Sequence, residues 1–79
     1  MATVRYFAAA AEAAGTQQEQ IIAADLGTLV SGLIERHGAV LADVLRRSSL
    51  LHDGHYVSDH SMTLAHDAVV DVLPPFAGG

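Results

Sequence analysis

The residues with the plainest chemical meaning stand at the end of the chain, in Leu73-Pro74-Pro75-Phe76-Ala77-Gly78-Gly79. Two prolines hold the backbone extended and bar it from continuing as helix or ladder. Phe76 adds one apolar anchor, and Ala77 to Gly79 carry almost no side chain. At roughly 3.3–3.6 Å per residue, the stretch beyond Phe76 reaches roughly 10 Å. A tail of that width can enter a channel closed to ordinary side chains, and glycine accepts whatever dihedrals the channel imposes. An α-carboxylate at Gly79 would be ionised at neutral pH, with a reference pKa of about 3.3–3.7, and is a poor electrophile. It has to be activated first, most simply as an acyl-adenylate made from ATP. A sulfur nucleophile can then displace the adenylate and leave a thiocarboxylate. In this scheme Gly79 carries the group and Gly78 gives it clearance. The domain contributes no catalytic side chain and binds no cofactor; the ATP is used by an activating partner. Glycine at a chain end is commonplace, so the signal lies in its combination with a strand that runs directly into Pro-Pro-Phe.

Other chemistry is less well supported. The chain has no cysteine, which removes disulfides, thiolate metal sites and a thiol nucleophile. Five histidines are present, and His52-x-x-His55 with His60 or His66 is the best metal candidate. The spacing matches no closed zinc pattern, so solvated loop histidines are expected and no metal. His37 reads as a helix-end residue. Ser48, Ser49 and Ser58 lack the spacing of a nucleophile elbow. Four arginines, no lysine and a net charge of −5 give no cationic surface for phosphates, so nucleic acid is not an expected partner. No run approaches the roughly 20 apolar residues that span a bilayer. The N-terminus does not read as a signal peptide, since its alanine-rich stretch contains Glu12. The expectation is a cytoplasmic protein with no membrane contact.

These residues need a scaffold, and 79 residues suffice for one small domain. The sequence predicts a strand over Thr3–Phe7, a short helix over Ala8–Ala14 stopped by Gly15, and a strand over Glu19–Ala23. Thr28 is the expected N-cap of the main helix, whose stripe is Leu29, Val30, Leu33, Ile34 and His37, with Gly38 as its stop. Val40, Leu41, Val44 and Leu45 form a second apolar stripe. Ser49–His52 reads as a short strand, Asp53-Gly54 as a turn, and His55–Leu64 as a short strand or irregular loop. Val69–Leu73 is a strand that Pro74-Pro75 must end. The expected fold class is α+β, with a mixed sheet and one main helix on one face. The domain spans 1–79, with a flexible tail over 74–79.

A right-handed crossover places the first and last strands side by side and parallel. Alternation then turns Val4, Val70 and Val72 toward the helix and Arg5, Phe7, Asp71 and Leu73 toward the open face. Arg5 and Asp71 would pair there. Phe7 and Leu73 would stay exposed near the tail, and exposed apolar residues of this kind mark a contact surface.

The stretch Val4-Arg5-Tyr6-Phe7-Ala8 through Glu12 and Gly15-Thr16, the helix from Thr28 to Gly38, and above all Val70-Asp71-Val72-Leu73-Pro74-Pro75-Phe76-Ala77-Gly78-Gly79 resemble the small subunit of molybdopterin synthase, a family of ubiquitin-like sulfur carriers. The resemblance covers essentially the whole chain. It implies a β-grasp, ubiquitin-like fold. It implies that Gly79 is adenylated by an ATP-dependent partner, takes sulfur from a sulfurtransferase or other donor, and enters the large catalytic subunit to build the dithiolene of molybdopterin. The docking residues it implies are Phe7, Leu73, Pro74, Pro75, Phe76 and Val57. The chain has His66-Asp67-Ala68 where the family often has an Asp-Gly turn. Two alternatives stay open: a carrier for thiazole, cysteine or tRNA thiolation, and a non-catalytic ubiquitin-like binding module or protein modifier.

Overall fold

A computed structural model describes residues 1–75. The elements run β1 (Ala2–Tyr6), α1 (Ala9–Ala14), β2 (Gln18–Ile21), α2 (Leu26–His37), α3 (Ala39–Arg47), β3 (Ser49–His52), β4 (His55–Val57) and β5 (Val69–Leu73). The strands form one sheet in the order β2-β1-β5-β3-β4. β1 and β5 are parallel, with Val4 opposite Val70 and Arg5 opposite Asp71, while every other pairing is antiparallel. This is the mixed, β-grasp arrangement expected from the sequence.

Alternation assigns the faces as expected. Val4, Val70 and Val72 are fully buried, and Tyr6 nearly so. They pack against Leu26, Leu29 and Leu33 of α2 and Leu41 of α3, which are fully buried as well. Each such aliphatic side chain contributes about 1.5–3 kcal/mol by leaving water. The core therefore lies between one face of the sheet and the helices, and no element among the described residues covers the other face.

One expectation needs correction. The main helix begins at Leu26, not after Thr28, because Asp25 is its N-cap: the Thr28 N–H donates to Asp25 Oδ1 at 2.7 Å. That bond holds the Asp25 carboxyl below its ordinary range. Leu26 extends the stripe of Leu29 and Leu33 back by a turn, which the choice of Thr28 overlooked. The expected second apolar stripe forms α3, a shorter helix that follows the main one. Gly38, at φ +85°, breaks the chain between them, and α3 buries Leu41 and Leu45 while Val40 faces water.

Two turns fix the geometry near the open face. Asp53 and Gly54 both have positive φ, 51° and 79°, which makes the β3–β4 connection a two-residue hairpin turn whose twist suits the strands. Ala8 has φ 51° and ψ −126°, a conformation that only glycine adopts freely. The turn it makes is closed by the Ala10 N–H donating to Phe7 O at 3.0 Å. Holding alanine there costs on the order of 1–3 kcal/mol. It turns the chain sharply out of β1 into α1 and leaves Phe7 at the corner.

Candidate functional site

The site is the end of the sheet where β1 and β5 finish together. The Phe7 N–H donates to Val72 O at 3.2 Å, which sets Phe7 beside Leu73. Phe7 is 41% exposed. Leu73 and Pro74 are partly exposed and Pro75 is exposed. Phe76, Gly78 and Gly79, which carry the expected anchor and reactive group, lie outside the described residues. So does most of the expected tail over 74–79.

Behind this apolar corner sits the ion pair expected from parity. Arg5 Nε donates to Asp71 Oδ1 at 2.6 Å and Arg5 Nη2 to Asp71 Oδ2 at 2.8 Å, a bidentate pair. The carboxylate raises the Arg5 pKa above its ordinary value, by hydrogen bonding first and charge second. The guanidinium also lies 5.8 Å from the centre of the Phe7 ring, within range of a cation–π attraction. Arg5 thus ties Asp71 on β5 to Phe7 at the corner.

The register extends this face beyond the residues named from sequence. Leu51 lies opposite Asp71, and Tyr56 lies opposite Leu51. Directly opposed residues share a face, so Leu51 and Tyr56 stand on the same side as Phe7 and Leu73. Tyr56 is 75% exposed. The Asp53-Gly54 turn was the available signal, since a two-residue hairpin fixes the pairing of 51 with 56.

Val57 is the residue the structure separates from the others. It pairs with Leu50, which pairs with Val72, and both pack against the core on the helix side. Val57 therefore faces away from Phe7 and Leu73. A single step of register moves a side chain to the other face, and the sequence alone does not set the register of a strand this short.

On the helix side, a cluster not foreseen from sequence surrounds Glu19. Tyr6 Oη donates to Glu19 Oε2 at 2.7 Å, Arg36 Nη1 donates to Oε1 at 2.6 Å, and His37 Nε2 bonds to Oε2. Burial pushes the Glu19 carboxyl upward, but the hydrogen bonds from Tyr6, Arg36 and His37 outweigh it and leave the pKa lowered. The Tyr6 phenol is pushed well above its ordinary value, by burial first and by the Glu19 bond second. The two rings meet edge to face, with centroids 6.2 Å apart. Every partner of Glu19 is spoken for, so the cluster joins β1, β2 and the end of α2. His37 does more here than decorate a helix end.

Among the described residues, no group of three or more His, Asp or Glu side chains is placed to hold a metal ion. Among the described residues, no helix is long and apolar enough to cross a membrane.

A domain whose last strand runs beside its first, and then into an extended proline pair, matches one family description, the ThiS family, over residues 4–79. The chain belongs to the ThiS family. It is a ubiquitin-like sulfur-carrier domain. No curated protein matches it by sequence. Solved structures do match it in fold. Small archaeal modifier protein 1 from Haloferax volcanii superposes with a TM-score of 0.82 at 22% identity, covering 99% of this chain and 98% of that one. The complex of subunits 1 and 2 of the molybdopterin-converting factor from Helicobacter pylori matches with a TM-score of 0.76 at 26% identity, covering 99% and 97%. CysO from Mycobacterium tuberculosis gives 0.80 at 15%, covering 96% and 100%. Relatives so different in name share one scaffold, so this ThiS-family fold is common to several of them.

Proposed function

We propose that this sulfur carrier is the small subunit of a molybdopterin synthase. The observation that carries the reading is the exit of β5: Leu73 leaves the sheet beside exposed Phe7, and Pro74 and Pro75 keep the chain from turning back. The sequence that follows is Phe-Ala-Gly-Gly. The likeness to a molybdopterin-converting factor solved with its second subunit supports the pathway.

A Gly79 carboxylate oxygen attacks the α-phosphate of ATP on an adenylating enzyme, giving the acyl-adenylate and releasing pyrophosphate. A sulfur donor then attacks the acyl carbon, and AMP leaves. Where the donor is a protein persulfide, a thiol then cleaves the S–S bond of the resulting acyl disulfide, itself ending in a disulfide, and leaves the thiocarboxylate. In the large subunit, the thiocarboxylate sulfur bonds to a carbon of the pterin precursor as an oxygen leaving group departs, and water then cleaves the acyl–sulfur bond, leaving the sulfur on the pterin and restoring the Gly79 carboxylate. This chain's own residues position the group: Phe7 and Leu73 give an apolar face for docking, and the Arg5–Asp71 pair stiffens it. Pro74, Pro75 and Phe76 then aim the tail.

The test is intact-mass analysis after incubation with an adenylating enzyme, ATP and a sulfur source. One oxygen should be replaced by one sulfur at the C-terminus. Protein that binds the enzyme but never gains sulfur contradicts the reading. The pathway is tested separately by co-purification. Recovery of a pterin-synthase large subunit supports it, whereas recovery of a thiazole-forming enzyme, or isopeptide adducts at Gly79, assigns the carrier elsewhere.

A further inference from the structure

The sheet has two outer edges, and they are finished differently. On β2, the Tyr6 N–H donates to Gln17 O at 2.8 Å, so by alternation the carbonyls of Gln18 and Gln20 face outward. Both are capped from within the chain: Thr16 Oγ1 donates to Gln18 O at 3.0 Å, and Arg36 Nη1 donates to Gln20 O at 3.0 Å. That edge is blunted against strand pairing. On β4, the two-residue turn makes His52 and His55 the closing bonded pair, so Leu50 and Val57 bond next. The Tyr56 N–H and carbonyl then face outward. Among the described residues, no loop or side chain hydrogen-bonds that peptide.

Beside this open edge lies a groove of about 500 Å³ between the sheet and the helices. Val30 and Ile34 of α2, Leu45 of α3, and Leu50 and Val57 of the sheet line it, with Arg46 and His60 among its polar residues. Among the described residues, no aspartate or glutamate lines it, although the chain carries nine acidic residues and a net charge of −5. Asp43 holds both Arg46 and Arg47 nearby, which leaves that end of α3 with one cation in excess.

We infer that the β4 edge and this groove form a second docking site, for an extended segment of a partner protein with aliphatic side chains at alternate positions and an acidic residue at one end. The open Tyr56 peptide takes the segment's backbone as an added strand. Alternate aliphatic side chains drop onto Ile34, Leu45 and Val57, and the acidic residue meets Arg46 and His60. The groove reaches Ser49, which pairs with Leu73, yet it lies on the opposite face from Phe7. A partner can hold the domain here while the open face and tail serve another protein. This site does not depend on which sulfur pathway the carrier serves.

The test is an amide NMR titration of the full ¹⁵N-labelled chain with a short synthetic peptide in which isoleucine alternates with threonine and aspartates close one end. Saturable shifts are expected at Ile34, Leu45, Tyr56, Val57 and Ser58, with Phe7 and Leu73 unmoved. Replacing the aspartates with lysines should weaken binding about threefold or more, and Arg46→Glu should reverse that preference. Tyr56→Pro removes the outward N–H and should abolish the shifts. If that variant melts early by circular dichroism, Ile34→Asp decides instead, since Ile34 is already 37% exposed. Four results overturn the site: no saturable shifts; shifts over Phe7, Leu73 or β2; equal binding of acidic and basic peptides; or the same shifts on raising protein concentration alone, which would assign the edge to a second copy.

Discussion

Asp71 and Glu19 are carboxylates on the two strands that flank β1, and they lie on opposite faces of the sheet. Their side chains are similarly shielded, 18% and 14% exposed. Their partners differ. Asp71 has one, Arg5, which is half exposed and leans on Phe7. Glu19 has three, from β1 and from the end of α2, and one of them is the nearly buried Tyr6. The same functional group therefore does two jobs. On the covered face it locks elements that are distant in sequence. On the open face it steadies a surface that none of the described elements covers. The domain is cross-linked by hydrogen bonds on its covered face and exposed where β5 ends.

That contrast can be broken most forcefully at Glu19. Glu19→Ala leaves the Tyr6 hydroxyl and the His37 ring short of a partner in a largely dry site, and should lower stability by about 2–3 kcal/mol. Urea denaturation followed by circular dichroism measures it, and a loss as small as that of Asp71→Asn would erase the difference between the two faces. Phe7→Ala should do the reverse. It should cost about tenfold in affinity for the adenylating partner, roughly 1.4 kcal/mol, with little change in the melting curve, because Phe7 is 41% exposed. Isothermal titration beside a thermal melt separates the two readouts.

A pH series sharpens the comparison further. The Glu19 pKa is lowered on folding, so its contribution is present above the unfolded value of about 4.3 and is lost as pH falls through the folded value. Stability should fall with acid in that window, and Glu19→Gln should flatten the slope. Asp25 and Asp59, also lowered, keep part of it. The smallest effect is at Asp71. An ion pair this exposed on its Arg5 side is worth at most about 1 kcal/mol, so Asp71→Asn should shift the urea midpoint little. Any change should appear in the salt dependence of partner binding.

Much of this arrangement could be read from the residues. The parallel pairing of β1 with β5 follows from a right-handed crossover, and the faces of Val4, Val70 and Val72, the Arg5–Asp71 pair and the exposure of Phe7 follow from period-2 alternation in those two strands. Gly15, Gly38 and Asp53-Gly54 marked breaks because each needs a positive φ. What escaped was non-local or a matter of register. Glu19 meets residues 13 to 18 positions away, and no local pattern announces such a meeting. The choice between Asp25 and Thr28 as cap rested on one side-chain hydrogen bond. The face of Val57 rested on a strand of three residues, too short to show its alternation. The open β4 edge was illegible for the same reason, since strand order alone decides which strand is outermost.

In the proposed role, Gly79 carries the reactive group and the domain is its handle. The most direct measurement compares the protein with a version bearing one added alanine after Gly79, each incubated with adenylating enzyme, ATP and sulfur donor and read by intact mass. The account predicts full replacement of oxygen by sulfur in the first and none in the second, with identical melting curves. Equal loading of both proteins would show that the Gly79 carboxylate is not the site of the chemistry.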